Sequence, residues 1–333
     1  MKRVRLQDVA DRAGVSMKTV SNVIHDYLHV SPQMRARVQE AIDELGYKPN
    51  LLGRQLATGR SGLIRLAFVD ISLPYFAELA RAVSIAARPA GYRILLEETG
   101  ATYDTERSLL QDTESGLFDG MLFQPSVMTS AQIAACRPDL PTVLLGEAAA
   151  PLTMDRVMID NPAAAREITS HLIASGRRRI GFVGHEESGL SETSRQRLAG
   201  YQQALDDAGI QPDPSRLIAT KSYDAMGAVT AVTQRLEAGL DVDALVCRDD
   251  LAAIGTLRAL NHTGLSVPDD VAVTGWDDIK LSAVTFPSLT TVSPDVPVLA
   301  TRALTLLTER IAGYDGMGRH EVVPHQIVVR ESA

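Results

Sequence analysis

From residue 61 to residue 333, short β-branched and aliphatic runs alternate with longer stretches carrying apolar residues at helical spacing. The runs at 64–69, 93–97, 120–123, 142–145, 180–183, 217–220, 244–247, 271–275 and 327–330 predict strands. The stretches at 75–88, 162–175, 195–208, 225–238, 251–263 and 298–312 predict helices. Strands separated by helices return by crossovers rather than hairpins, so the expected architecture is α/β with parallel sheets. This length exceeds one comfortable α/β core, and two lobes are expected. The chain is 45% hydrophobic and 22% charged, enough to fill such cores. No apolar run approaches the roughly 20 residues that span a bilayer.

Residues 1–62 differ in kind. They hold ten Lys/Arg and six Asp/Glu, a net of +4, whereas the whole chain carries −8 and the remainder therefore −12. A basic head on an acidic body binds phosphates locally while the body stays off the duplex. Leu6, Val9, Ala10 and Ala13 form one apolar stripe of a short helix. Gly14 suits its C-terminal cap, and Ser16 suits the N-cap of a second helix whose Val20, Val23 and Ile24 face inward. A third helix opens at Ser31-Pro32, turns Met34, Val38, Ile42 and Leu45 inward, and stops at Gly46. This is a helix-turn-helix, in which the second helix enters the major groove. Met17, Lys18, Ser21 and Asn22 share its polar side: Met17 can touch a thymine methyl, while Lys18 and Asn22 can hydrogen-bond base or phosphate. An ordinary three-helix domain with a polar face is the plainer alternative.

The segment that follows argues against that alternative. Asn50 can cap a single helix over residues 51–58 containing Leu52, Gln55 and Leu56, ended by Gly59. Alone, so short a helix is unstable in water, and it makes sense if a partner supplies its contacts. Two such helices side by side fit a minor groove, with a leucine wedged between base pairs.

Three blocks carry a family resemblance: residues 6–16 (Leu-Gln-Asp-Val-Ala-Asp-Arg-Ala-Gly-Val-Ser), Thr19-Val20-Ser21, and Leu45-Gly46-Tyr47-Lys48-Pro49-Asn50. In order and spacing they resemble the head of the lactose/galactose-repressor family of transcriptional regulators. The resemblance implies a homodimer on double-stranded DNA, reading a pseudo-palindromic operator. Its DNA contacts would come from Met17, Lys18, Thr19, Ser21 and Asn22 and from the hinge residues Asn50, Leu56 and Ala57, with Leu56 at the wedge position. Arg5 stands where the family often has threonine or serine. Asn22 stands where several members have arginine, so operator bases do not transfer.

The body also resembles the family, whose core is periplasmic-binding-protein-like. By that resemblance the chain divides into a head (1–49), a hinge helix and linker (50–60), an N-terminal lobe (61–160 with 292–323) and a C-terminal lobe (161–291 with 324–333). It would cross between lobes near 159–161, 290–292 and 322–324, with ligand in the cleft at the strands' carboxyl ends. Arg197, in Arg195-Gln196-Arg197-Leu198-Ala199-Gly200-Tyr201, matches the arginine that grips ligand, and its fork suits vicinal hydroxyls or a carboxylate. Asp277, in Gly275-Trp276-Asp277-Asp278, matches a ligand acceptor, and Asp249 replaces an asparagine that often contacts sugar. Tyr223 matches an aromatic pocket position, and Gly146 stands where many members carry aspartate. Tyr75 and Phe76 follow the first strand, where an aromatic can stack on a sugar ring or base. Plainer roles stay open: a helix salt bridge for Arg197, a strand-end cap for Asp277, lobe core for Tyr75 and Phe76.

Catalysis finds no support. No lysine follows a glycine, as a phosphate-binding loop would need. His185-Glu186 has Gly189 where a zinc helix needs histidine, and His320-Glu321 reaches His325 one residue late. There is no Gly-x-Ser-x-Gly elbow. Two cysteines, Cys136 and Cys247, make neither a disulfide framework nor a cysteine-rich zinc site, and no cofactor is expected. The expectation is a cytoplasmic, non-enzymatic DNA-binding regulator, most simply a repressor, controlled by a small molecule of carbohydrate type. A solute-binding receptor for a sugar transporter is the rival. It predicts an export signal and no basic head, whereas residues 1–8 run straight into a helical pattern with acidic residues.

Overall fold

The computed structural model describes residues 4–24, 27, 29–47, 60–111, 116–136, 138–147, 150–185 and 191–333. The hinge positions Asn50, Leu56 and Ala57 lie outside them. The chain forms two compact units, Met1–Gly62 and Leu63–Ala333.

In the first unit, α1 (Leu6–Ala13), α2 (Met17–Ile24) and α3 (Pro32–Leu45) enclose a small core of Val9, Ala10, Ala13, Val20, Val23, Val38 and Ala41. Gly14 and Gly46 end α1 and α3 in the left-handed backbone that a side chain would strain. Ser31 accepts the Met34 amide as the cap of α3. Ala41, rather than Leu45, joins Val38 as the buried part of α3.

Among the described residues the second unit holds two six-stranded sheets. The first is built from β1 (Leu63–Phe68), β2 (Arg93–Glu98), β3 (Gly120–Phe123), β4 (Thr142–Leu145), β5 (Asp155–Ile159) and, from far along the chain, β11 (His320–Val323), in the order β11-β5-β4-β3-β1-β2 and all parallel. The second contains β6 (Ile180–His185), β7 (Leu217–Ala219), β8 (Ala244–Cys247), β9 (Ala272–Trp276), β10 (Thr290–Pro294) and β12 (His325–Val328), ordered β12-β10-β9-β8-β6-β7. Only β12 runs antiparallel, against β10. The intervening helices are α4 (Pro74–Ala87), α5 (Tyr103–Gln111), α6 (Ser130–Cys136), α7 (Asn161–Ala174), α8 (Glu192–Asp207), α9 (Ala225–Glu237), α10 (Asp250–His262) and α11 (Val296–Ile311).

Each sheet anchors one lobe, and the chain passes from one to the other at Asp160, Asp295 and Pro324. Two of these crossings coincide with helix caps: Asp160 accepts the Ala163 amide at 3.0 Å, and Asp295 accepts the Val298 amide at 3.0 Å. The second crossing follows β10 rather than replacing it, because Thr290–Thr291–Val292 pair in register with Thr274–Gly275–Trp276. Helix α11 returns to pack on α4 and on β3–β5 of the first sheet.

The strands and helices predicted for residues 61–333 are present with shifted ends, and three strands and two helices (β5, β10, β11, α5, α6) stand where the sequence pattern predicted none. The helix predicted over 51–58 lies outside the described residues. β5 opens with Asp155-Arg156, a polar start that hides a strand. Yet Asp155 is fully buried, since Arg310 and Arg319 reach back to it, with Arg319 Nη2 at 2.8 Å and Arg310 Nε at 2.9 Å. These bonds hold the Asp155 carboxyl far below the usual range despite its desolvation.

α7 and α8 meet at Gly200, where an added Cβ would lie 2.2 Å from the Pro162 carbonyl oxygen. At the next residue, the Tyr201 hydroxyl donates to the Ile180 carbonyl at 2.8 Å inside the core. Gly200→Ala must force the two helices apart and should cost about 1–3 kcal/mol or more, measurable by urea unfolding. Among the described residues no helix is long and apolar enough to cross a membrane.

Candidate functional site

A cavity of about 870 Å³ lies between the two sheets of the second unit. Its walls are the residues that follow strand ends: Val69 after β1, Gln124 after β3, Gly146 and Glu147 after β4, Arg248 and Asp249 after β8, Asp277 after β9. The first turns of α8 and α10 complete one side. Parallel strands put all their carboxyl ends on one edge, so the topology gathers these residues from across the chain.

Arg197 projects from α8 and is almost wholly buried. Its Nε donates to Asn161 Oδ1 at 2.8 Å and its Nη1 to the Arg248 carbonyl at 2.5 Å. The guanidinium lies over the Trp276 ring, 4.0 Å from the centroid, so Trp276 packs under the arginine instead of facing ligand. Asp277 stands 3.9 Å from Arg197 Nη2, too far for a hydrogen bond, in left-handed backbone at φ 104°. Burial raises its carboxyl well above the ordinary range, and Arg197 only partly opposes this. Asp277 therefore presents its carboxyl to the cavity, with Arg197 as its ion-pair neighbour.

Arg248 and Asp249 pair at 3.0 Å. Arg248 also donates to the Gly184 carbonyl at 3.0 Å and covers Tyr223, which is 46% exposed. Asp249 caps α10 through the Ala252 amide at 2.7 Å. Opposite stand the aromatics of α4. Tyr75 lines the cavity, and burial, then the charges of Asp277 and Glu147, push its phenol up, so it stays a neutral donor. Phe76 also borders the cavity, but it stacks on Phe68 at 5.2 Å and 4° and belongs mainly to the lobe core.

Glu147, which the sequence reading passed over as a site residue, is buried here against Asn161 and the half-buried Thr193. An acid at a strand's carboxyl end was the available signal. Its partners lie 14 and 46 residues away and gave none.

Asp250, one residue beyond the Asp249 cap, holds the floor. It accepts from the Ile279 amide at 2.9 Å, Ser282 Oγ at 2.7 Å and Thr291 Oγ1 at 2.6 Å. Gly275 precedes Trp276-Asp277 because a Cβ there would sit 2.2 Å from Asp250 Oδ1. Burial above all, with Asp249 adding, pushes Asp250 up from an ordinary 3.8 to about 7 despite these bonds. Folding therefore favours its protonated form: that contribution to stability is full below the ordinary value and is lost as pH rises through about 7. Asp250→Asn should remove this fall in stability between about pH 4 and about pH 7, read by urea melts across the window.

The cavity thus offers charged donors and acceptors on one side and an aromatic and aliphatic wall on the other, an arrangement suited to a small hydroxyl-bearing molecule. Among the described residues there is no group of three or more His, Cys, Asp or Glu placed to hold a metal.

In the first unit, Met17 is 49% exposed and Lys18 is exposed at the start of α2, while Ser21 and Asn22 are half-buried beside them. Thr19 is turned back, its hydroxyl 2.9 Å from Ser16 Oγ and its amide donating to the same oxygen. Val20 and Val23 fix this presentation by filling the head's core.

Comparison with known proteins accounts for both units. Residues 5–50 match the family model for bacterial regulatory proteins of the lacI family, and residues 169–333 match a periplasmic binding protein-like domain. The transcriptional repressor CytR of Escherichia coli K12 is 31% identical over 98% of this chain and 95% of its own. Catabolite control protein A of Priestia megaterium is 30% identical over 99% of each. The chain belongs to the LacI family. LacI-family structures superpose along its whole length: the Lac repressor bound to ONPG in its repressed state has a TM-score of 0.87 at 26% identity, covering 100% of both chains. A complex of the regulator CelR with cellobiose has a TM-score of 0.72 at 28% identity, covering 99% of this chain and 100% of that one. As a LacI-family member the chain is a DNA-binding transcriptional regulator, and the relatives named are regulators rather than enzymes.

Proposed function

We propose that this regulator is a cytoplasmic repressor that binds a pseudo-palindromic operator as a homodimer, and that a sugar or sugar derivative in the cleft controls its affinity for DNA. The observation that carries the reading is Arg197 beside Asp277, 3.9 Å apart in the wall of a cavity that Tyr75 also lines. A guanidinium and a carboxylate side by side match vicinal hydroxyls, which donate to one and accept from the other. Cellobiose in CelR and ONPG in the Lac repressor supply the precedent for carbohydrate-type ligands, and a Lac repressor dimer bound to operator supplies that for the assembly. Arg197, Asp277, Asp249, Tyr223 and Tyr75 are the proposed ligand contacts, with Phe76 behind them. Met17, Lys18, Thr19, Ser21 and Asn22, together with Asn50, Leu56 and Ala57, are the proposed DNA contacts. The proposed boundaries are a head to residue 49, a hinge over 50–60, and two lobes that exchange chain at the crossings.

Ligand control needs only that the ligand bind two lobe arrangements with different affinity, since that difference is all it can transmit to the head. A thermal-shift screen of sugars, sugar acids and purines tests the ligand class. Binding raises apparent stability by RT ln(1 + [L]/Kd), so a ligand at a hundredfold its Kd adds about 2.7 kcal/mol. A shift with a neutral sugar that also changes operator affinity is the expected result. Shifts confined to purines, or shifts with no effect on DNA binding, would overturn the reading.

A further inference from the structure

We propose that the Glu147 carboxylate ties the two lobes together across the cleft and, through Asn161, positions Arg197 for ligand. Glu147 follows β4 of the first sheet, whereas its partners stand on helices of the second lobe. Asn161, the first residue of α7, donates its amide to Oε1 at 2.6 Å. Thr193, in the first turn of α8, donates its hydroxyl to Oε2 at 2.6 Å. Both carboxylate oxygens are thus engaged from the opposite lobe, and the residue is 8% exposed.

Asn161 does double duty. The amide group that reaches Glu147 presents its own oxygen to Arg197 Nε at 2.8 Å, and Arg197 faces Asp277 at 3.9 Å. A continuous chain of polar contacts runs from the end of β4 to the acid in the cavity. A ligand that draws in Arg197 or Asp277 pulls on the same chain that sets the lobe spacing. Short, buried, charge-assisted bonds are the strong ones, so this tie biases which of two lobe arrangements is populated. Reach matters more than charge. The glutamate stands beside Gly146, where an aspartate would end one methylene earlier, and it is the longer side chain that meets both helices.

This inference rests on the cleft being the ligand site, but its test needs no ligand, so the two can fail separately. Spin labels on cysteines introduced at exposed Arg81 on α4 and Asp206 on α8 report lobe separation. Cys136 is replaced by serine, and labelled full-length chain is diluted with unlabelled chain so that distances within one protomer are read. Glu147→Asp keeps the charge and loses the reach; Glu147→Gln keeps the reach and can still accept from Asn161 and donate to Thr193 Oγ. The expected result is a wider, broader distance distribution in Glu147→Asp and in Thr193→Val, with Glu147→Gln at the wild-type distance. A purely structural residue would not be rescued by glutamine and broken by aspartate. Unchanged distances in both Glu147→Asp and Thr193→Val overturn the proposal, and so does equal widening in the Gln and Asp variants. Thr193→Val alters one half-buried hydroxyl, so it keeps the test alive should a Glu147 variant fail to fold.

Discussion

Removing residues 1–62 is expected to erase operator recognition and to leave ligand binding intact. The division at Gly62 separates two compact units, and the second contains both sheets and the whole cleft. The removed part carries +4, and the remaining chain −12, so the electrostatic attraction to phosphates goes with it. Specific DNA affinity typically exceeds non-specific affinity by a factor of about 10³–10⁷, so a loss of at least about a thousandfold is the prediction. The operator is first selected from genomic fragments with the full chain, and both chains are then titrated at several salt concentrations. Full-length binding should weaken steeply with salt as counterions re-condense, while the truncated chain shows no sequence preference at any salt. Equal operator affinity in the two chains would remove the head from its assigned role.

The second large effect belongs to Arg197. Arg197→Ala deletes the donors to Asn161 and to the Arg248 carbonyl and leaves Asp277 without a nearby cation. Ligand affinity should fall by about 1.5–3 kcal/mol, the range for hydrogen bonds to charged groups, or roughly ten- to a hundredfold in Kd. Operator affinity without ligand should stay within about twofold. Arg197→Lys should not rescue, because a single ammonium cannot serve two acceptors at the angles the guanidinium spans while also stacking flat on Trp276. Titration calorimetry with the ligand from the thermal screen decides the point. A variant that binds ligand normally would return Arg197 to a merely structural role.

How far the sequence could be read depended on whether the governing contacts were local. The head was legible because its caps and stripes lie within a few residues of one another: Gly14, Ser31 and Gly46 end or begin helices by backbone geometry alone. The alternation of strands and helices in the body was legible for the same reason. β5 and β10 were not, since Asp155 and Thr291 look like loop residues until Arg310, Arg319 and Asp250 arrive from elsewhere. The cleft divides along the same line. Arg197, Asp249 and Asp277 lie in short blocks that could be compared with a family. Glu147, Asn161 and Thr193 acquire their meaning only when the lobes come together. Phe76 shows the converse, an aromatic at a promising strand end whose ring stacks largely into the core.

The three crossings also set an order for biosynthesis. The first sheet needs β11, and the helix that seals it, α11, is made only after the entire second sheet except β12. Neither lobe is a contiguous piece of chain, so the first cannot be finished before β11 nor the second before β12 has been made. The nascent chain must hold the apolar faces of β3, β4 and β5 uncovered until residues 296–311 emerge. Such an intermediate is the form exposed to aggregation and to chaperones, whereas the head, complete within its first fifty residues, folds early. A nascent chain released before α11 would therefore carry a DNA-reading head on an unfinished body. It would be a candidate for rapid degradation, and the cell would be spared a regulator able to occupy DNA but unable to answer its ligand.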